Sequence, residues 1–315
     1  MTAVEQRQRS DDVLEARRIM KFMTLGLGAL WTIDGLLQLQ PQMFTQNFAA
    51  QVIGMGLMVL PPALYFVSLK LLVRLLIPNI VLWNFSFAAL QLAIGFSLLL
   101  GSAWIRRLAL MASVAWGVMV WVIGEDMASV LSPTTAGGVF PGTPSILSGF
   151  PGAALVYVVI ALFLLLIPVN RWMPSGRFSI VRDAPALLFL LSAALQAAPI
   201  MWTAYGQASI FAANIGNLPV GFAGTVIPLA RFAAAYPVLS NGLEVAATLL
   251  SAFGLLWGNW RRWGYVFALA WLGFIWWFGL GLGGILTGLG TDPNTPSVIA
   301  LLMVPPIAWR KYSKK

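Results

Sequence analysis

The stretch LWTIDGLLQLQPQMFT, residues 30–45, reads as the end of an apolar helix, except that Asp34 stands in its middle. A carboxylate at mid-membrane costs roughly 2.5–3.5 kcal/mol on insertion scales, and less towards the interface. Two features outside the stretch decide its reading. The chain around it is apolar throughout, and the stretch has a twin.

Of 315 residues, 59% are hydrophobic and only 9% charged, against about 25% charged in an ordinary soluble domain. Runs such as PGAALVYVVIALFLLLIP at 151–168 approach the ~20 residues that a helix needs to cross a bilayer. Helix is the only open-ended structure that satisfies its own backbone in lipid, so an all-α integral membrane protein is expected. The net charge of +9 does not point to nucleic acid. The basic residues fall in short clusters between apolar runs, which is how membrane topology is encoded. Cysteine and histidine are both absent. That excludes disulfides, iron–sulfur clusters, histidine-ligated haem and the usual zinc and copper sites. No covalent cofactor is expected, and redox chemistry would need a bound organic molecule or a partner subunit. The first twenty residues are charged, with no small-residue cleavage site after the first span, so a cleaved signal peptide is not expected.

The twin lies at an offset of 158: Leu37, Gln38, Pro41, Met43, Phe44 and Thr45 recur as Leu195, Gln196, Pro199, Met201, Trp202 and Thr203. At an offset of 157, Arg74 matches Arg231, Asn84 matches Asn241 and Phe96 matches Phe253. At 155, Arg106-Arg107 matches Arg261-Arg262 and Ala115-Trp116 matches Ala270-Trp271. Ordered matches with a slowly drifting offset read as an internal duplication. The fold expected is eight transmembrane helices, at about 20–40, 78–101, 104–124, 152–169, 184–200, 237–258, 263–283 and 296–309. They form two parallel four-helix repeats, 20–170 and 184–309, joined by a cytoplasmic linker at 171–183. Residues 1–19 and the basic tail 310–315 lie outside them. Each repeat carries a proline-broken outer segment, 44–76 or 202–236, expected at the interface. With both termini cytoplasmic, sixteen of the nineteen basic residues lie inside a plasma (inner) membrane; the exceptions are Lys70, Arg74 and Arg231.

A Gly-rich first helix, a proline-broken outer segment, a second helix ending near glycine and a third opening on arginine together resemble the DoxX/DoxD-like membrane proteins. The stretches that carry the resemblance are TLGLGALWTIDGLLQLQP, IGFSLLLGSAWIRRLALMASVAW and, in the second half, NGLEVAATLLSAFGLLWGNWRRWGYVFALAW. DoxD-like proteins include the large subunit of thiosulfate:quinone oxidoreductase. This chain differs in being doubled, and the resemblance implies a fold and a quinone-linked setting without assigning catalytic residues.

The candidate ligand or ion-pair residues are Asp34, Arg74, Glu125, Asp126, Arg231 and Glu244. Buried charges are normally paired, so Asp34 is expected to meet Arg74, and Glu244 to meet Arg231. The sharper alternative is a proton-accepting or ligand-binding pocket near Asp34, Arg74, Glu125 and Asp126. The second half has Ser192 at the position of Asp34, and Leu280 and Gly281 at those of Glu125 and Asp126. The fourteen tryptophans fall mostly at span ends or on packing faces. No P-loop, nucleophile constellation or catalytic carboxylate spacing is present, so no autonomous catalytic centre is expected. The functional expectation is a membrane subunit of a respiratory-type or quinone-linked assembly, binding a quinone or a redox partner subunit. The alternatives are a small-solute or ion-coupled transporter and a purely structural membrane partner.

Overall fold

The computed structural model describes residues 3–54, 62–130, 144–172, 179–257 and 261–305. Among these residues every regular element is helical and none is a strand. The chain begins with α1 (Ala3–Leu37), a short turn Pro41–Phe44, α2 (Gln46–Phe48) and α3 (Pro62–Leu71). It continues through α4 (Ile80–Leu100), α5 (Ala103–Ile123) and α6 (Ala153–Leu166). Then come α7 (Ile180–Gln196), a short turn Pro199–Trp202, α8 (Ala204–Ile215), α9 (Val220–Ala235), α10 (Pro237–Leu256), α11 (Arg261–Phe274) and α12 (Thr295–Leu302). Val59, Leu60 and Pro61, Arg177 in the linker and the basic tail lie outside the described residues.

Four helical stretches are long and apolar enough to cross a membrane: Ser10–Leu37, Leu64–Leu100, Ala103–Ile123 and Pro237–Leu256. The second differs from expectation. A π turn at Leu72–Leu76 and a tight turn around Pro78 carry the helix from α3 into α4, so the outer segment and the following span are one continuous run. The remaining expected spans are shorter. Helix α6 has 14 residues, about 21 Å at 1.5 Å per residue, less than a hydrocarbon core of about 30 Å. Helix α7 has 17 residues, α11 has 14 before its π turn, and α12 has 8.

The sequence period explains which faces go inside. On α1, Ala16, Ile19, Met23, Leu27 and Trp31 are buried at steps of three or four, one stripe of a helix. Asp34 and Gln38 are the next two steps of that stripe and are buried with it. Helices α4 and α10 are inverted relative to a soluble helix. Asn84, Gln91, Asn241, Glu244 and Thr248 are buried, while Leu82, Phe85, Leu243 and Leu250 are exposed. An apolar outside around a polar seam is the expected arrangement in lipid, where helices associate by close packing and hydrogen bonds.

Helix α1 packs most extensively on α4, and α7 on α10. The first crossing depends on glycine. A Cβ on Gly95 would lie 2.7 Å from the Thr32 amide nitrogen and 2.9 Å from the Gly28 carbonyl oxygen, backbone atoms that cannot step aside. Arg106 closes the far end of α4 by donating to the Leu98 and Leu99 carbonyls at 3.1 and 3.3 Å, the groups a helix leaves unpaired. Gly95→Ala should therefore lower the detergent-solubilised melting temperature, by an overpacking cost of about 1–3 kcal/mol. Gly273→Ala, with nothing within 4 Å of its added Cβ, should leave it unchanged.

Candidate functional site

Asp34 opens onto a cavity of about 270 Å³. Its walls come from α1, α2, α3, α4, α5 and α6 and the turns beside them, with Thr291 and Asp292 from the loop before α12. Three carboxylates line it: Asp34, Glu125 and Asp292. No lysine or arginine is among the described lining residues. The rest of the wall is largely aromatic and aliphatic. Trp31 and Tyr157 meet with ring centroids 4.6 Å apart, and Phe87 and Trp116 at 5.3 Å. Leu71, Leu75 and Met119 on the wall are exposed at the apolar surface.

Neither expected ion pair forms. The ion pairs among the described residues are Arg18–Glu15 and Arg182–Asp183. The π turn at Leu72–Leu76 buries Leu72 and turns Arg74 outward, where its side chain is exposed. Arg231 is likewise exposed, on α9. Long basic side chains near a membrane surface carry their charge outward along an apolar stem, so these arginines do not serve the bundle interior.

Asp34 Oδ1 has no hydrogen-bond partner among the described residues, and neither do Gln38 Oε1, Gln91 Oε1 and the Tyr157 hydroxyl. All four belong to side chains lining the cavity. Tyr157 sits beside the Asp34 carboxylate. Trp31 is held in place by donating from Nε1 to Ser113 Oγ at 2.8 Å.

Glu125 follows the end of α5 and reaches the start of α6, where the Ala154 amide donates to Oε1 at 3.0 Å and to Oε2 at 3.2 Å. A helix N-terminus favours an acceptor with negative charge. Burial, and then the charge of Asp292, nevertheless push the Glu125 carboxyl up to about 8. Asp292 accepts from its neighbour Thr291 Oγ1 at 2.9 Å and from the Asn294 amide at 2.6 Å, and burial raises it as well. Asp126 is buried behind the cavity wall rather than on it, and burial raises its carboxyl to about 7. It begins a run of four left-handed residues, Asp126 to Ser129, with φ from 50° to 61°.

Glu244 lies elsewhere, in a polar network of its own. Gln196 Nε2 donates to its Oε2 at 2.6 Å and Gln207 Nε2 at 3.1 Å, while Ser240 Oγ donates to Oε1 at 3.1 Å. Gln196 Nε2 also donates to Asn241 Oδ1 at 2.9 Å, and Ser145 Oγ donates to Gln196 Oε1. The carboxylate is satisfied by neutral amides and hydroxyls, not by a cation.

The structure thus brings Asp34 and Glu125 together, sets Asp126 beside them, and leaves Arg74, Arg231 and Glu244 apart. Asp292, Tyr157 and Gln91 are the site residues that sequence reasoning missed. Gln91 and Tyr157 were visible as polar groups inside apolar runs. Asp292 carried no local signal, because its TDPN setting reads as an ordinary turn.

Among described residues the site is a buried, acid-lined, aromatic-walled cavity in an all-helical protein with four membrane-length apolar helices. No family model, no curated protein and no solved structure matches the chain.

Glu125 gives the site a pH signature. Its ordinary value is 4.5, and the fold raises it to about 8. Between those values the folded protein holds a proton that the unfolded chain has released. Stability is therefore full below pH 4.5, declines as pH rises towards 8, and levels off above. Asp126 and Asp292 act in the same direction. Melting temperature should fall across this window, with a shallower slope in Glu125→Gln. In the other network, Glu244→Leu should cost about 1–3 kcal/mol by stranding buried donors. Glu244→Gln, which keeps an accepting oxygen, should cost less in the same melting assay.

Proposed function

We propose that the chain is a membrane-embedded subunit of a quinone-linked redox assembly, and that its cavity binds the head of a quinone or its reduced form. The observation that carries this reading is the buried Asp34, whose Oδ1 is unpartnered, in an aromatic-walled cavity with no basic residue among its described lining. Such a pocket, mostly apolar with a few convergent polar groups, is the usual form of a small-molecule site. The exposed Leu71, Leu75 and Met119 on its wall suit a ligand arriving from the lipid.

The acids fit both forms of that ligand. A protonated Glu125 donates a hydrogen bond to a quinone carbonyl, and once ionised it accepts one from a quinol hydroxyl. Because Glu125 is raised to about 8, it exchanges its proton near neutral pH, where a general acid or base works best. The ligand would supply the electron chemistry. A redox partner subunit, docking on this end of the bundle, would supply or remove the electrons.

The architecture proposed with it is eight spans in two parallel four-helix repeats, both termini cytoplasmic, in a plasma (inner) membrane. The DoxX/DoxD resemblance belongs to the same proposal. Several details support the repeat. Pro41–Phe44 and Pro199–Trp202 are equivalent short turns at the 158 offset. Asn84 Nδ2 donates to the Gln38 carbonyl at 2.8 Å, and Asn241 Nδ2 to that of Gln196 at 3.1 Å. The left-handed run 126–129 stands opposite a second one at 281–284, in register at the 155 offset.

Binding of a short-chain benzoquinone to the purified protein, followed by quenching of tryptophan fluorescence, tests the function. Asp34→Asn should weaken binding about tenfold or more, the value of one charge-assisted hydrogen bond. Unchanged affinity in a folded Asp34→Asn protein would remove the quinone from this cavity.

A further inference from the structure

Resting on the reading of this cavity as a ligand site, we propose that it also takes a lipophilic ammonium cation, an apolar body bearing a primary amine. The head would lie among Asp34, Glu125 and Asp292.

Charge makes the first argument. The titratable groups facing the cavity are Asp34 from α1, Glu125 from the turn after α5, Tyr157 from α6 and Asp292 from the loop before α12. Helices α3 and α4 present only neutral groups, Ser68 and Gln91 among them. No basic residue is among the described lining, so once its acids ionise the cavity calls for a cation.

Hydrogen bonding makes the second. Asp34 is 2% exposed and Gln91 5%, and Asp34 Oδ1 and Gln91 Oε1 are unpartnered acceptors. Turning the Gln91 amide would exchange an acceptor for a donor, so the weight rests on the carboxylates, which accept in any orientation. An ammonium brings three donors and no acceptor. Trp116 Nε1 is an unpartnered donor on the same wall, and an ammonium leaves it unsatisfied.

The third argument is shape. At about 270 Å³ the cavity holds a small amine, and Leu71, Leu75 and Met119 on its wall are exposed to receive an apolar tail. The sites usual for a bare metal ion are different. No group of three or more acidic, histidine or cysteine ligands close enough to hold one occurs among the described residues.

Charge is conserved by exchange. When the cation enters near neutral pH, the carboxylic O–H bond of Glu125 breaks and its proton passes to the buffer. One positive charge enters as another leaves. The amine itself stays protonated below roughly pH 10, as a lysine does.

The test compares 4-phenylbutylamine with 4-phenylbutanol, a neutral probe of matching shape, on the full chain in detergent. Calorimetry in two buffers of different ionisation enthalpy counts protons. The amine should bind about tenfold or more tightly than the alcohol, gain affinity between pH 6 and 8, and release about one proton at pH 7. Asp34→Asn should remove the advantage over the alcohol, while Glu244→Gln should keep it. Equal affinity for the two probes, or binding without proton release, overturns the inference. The pH profile and the alcohol comparison use unmodified protein, so they decide even where Asp34→Asn fails to fold. Failure of the amine while the benzoquinone still binds overturns this inference alone. Failure of both removes the cavity as a ligand site as well.

Discussion

A helix that ends inside an apolar bundle leaves carbonyl oxygens with no partner, and no water there to supply one. In this protein the problem is solved by a neighbouring side chain. Asn84 on α4 donates to the Gln38 carbonyl just past the end of α1, and Asn241 on α10 donates to the carbonyl of Gln196, the last residue of α7. That bond fixes the depth at which each first helix stops and the height of the partner helix beside it. On α1 it places Asp34, one turn earlier, on the interior side. The crossing at Gly28 and Gly95 holds the same two helices together at the other end. The candidate site hangs between these two constraints.

The proposed repeats then use one frame in two ways. In the second half, Glu244 occupies the position that Phe87 has in the first, and Gln207 reaches in to donate to it. With Gln196 and Ser240 it gives the Glu244 carboxylate neutral donors on both oxygens. In the first half the acid has moved to α1, Phe87 is part of a wall, and several acceptors are left without partners around an open volume. Buried polar groups without partners are expensive, so the open half is where a ligand has most to offer.

How far the sequence carried this is clear from single residues. The stripe Ala16, Ile19, Met23, Leu27, Trp31 continues to Asp34 at helical spacing, so the burial of that acid was legible. Asn84 and Asn241, matched in sequence at an offset of 157, each donate to the carbonyl at the end of a neighbouring helix. The fate of the arginines was not legible, because the rule that buried charges are paired does not say by what. Burial can instead be met by a proton, by amides as at Glu244, or by a ligand. Nor does sequence distance predict that a loop near residue 292 lines a cavity built around residue 34. That contact depends on how the ends of the bundle fold over one another, which no local pattern encodes. The continuous run from α3 into α4 was hidden for a different reason. The segment 44–76 reads as broken by proline, but a π turn and a tight turn around Pro78 carry its last part into α4.

The left-handed turns carry the argument one step further. At 281–284 the run is Gly-Leu-Gly-Gly, residues that mostly accept positive φ without steric cost. At 126–129 the same geometry is imposed on Asp, Met, Ala and Ser, none of them glycine. Each such residue opposes the left-handed conformation by roughly 1–2 kcal/mol. The turn after Glu125 therefore holds strain at four residues, and the turn after Leu280 at Leu282 alone. Strain of this kind persists where surrounding structure enforces it, and it gathers at sites of function. Here the enforcing contacts are named: Trp121 donates to the Pro151 carbonyl at 2.8 Å, and Ala154 donates to Glu125. Together they clamp the turn against the start of α6. The acid that faces the cavity is held there by geometry the backbone would not choose alone, which separates it from a carboxylate merely tolerated at a membrane surface.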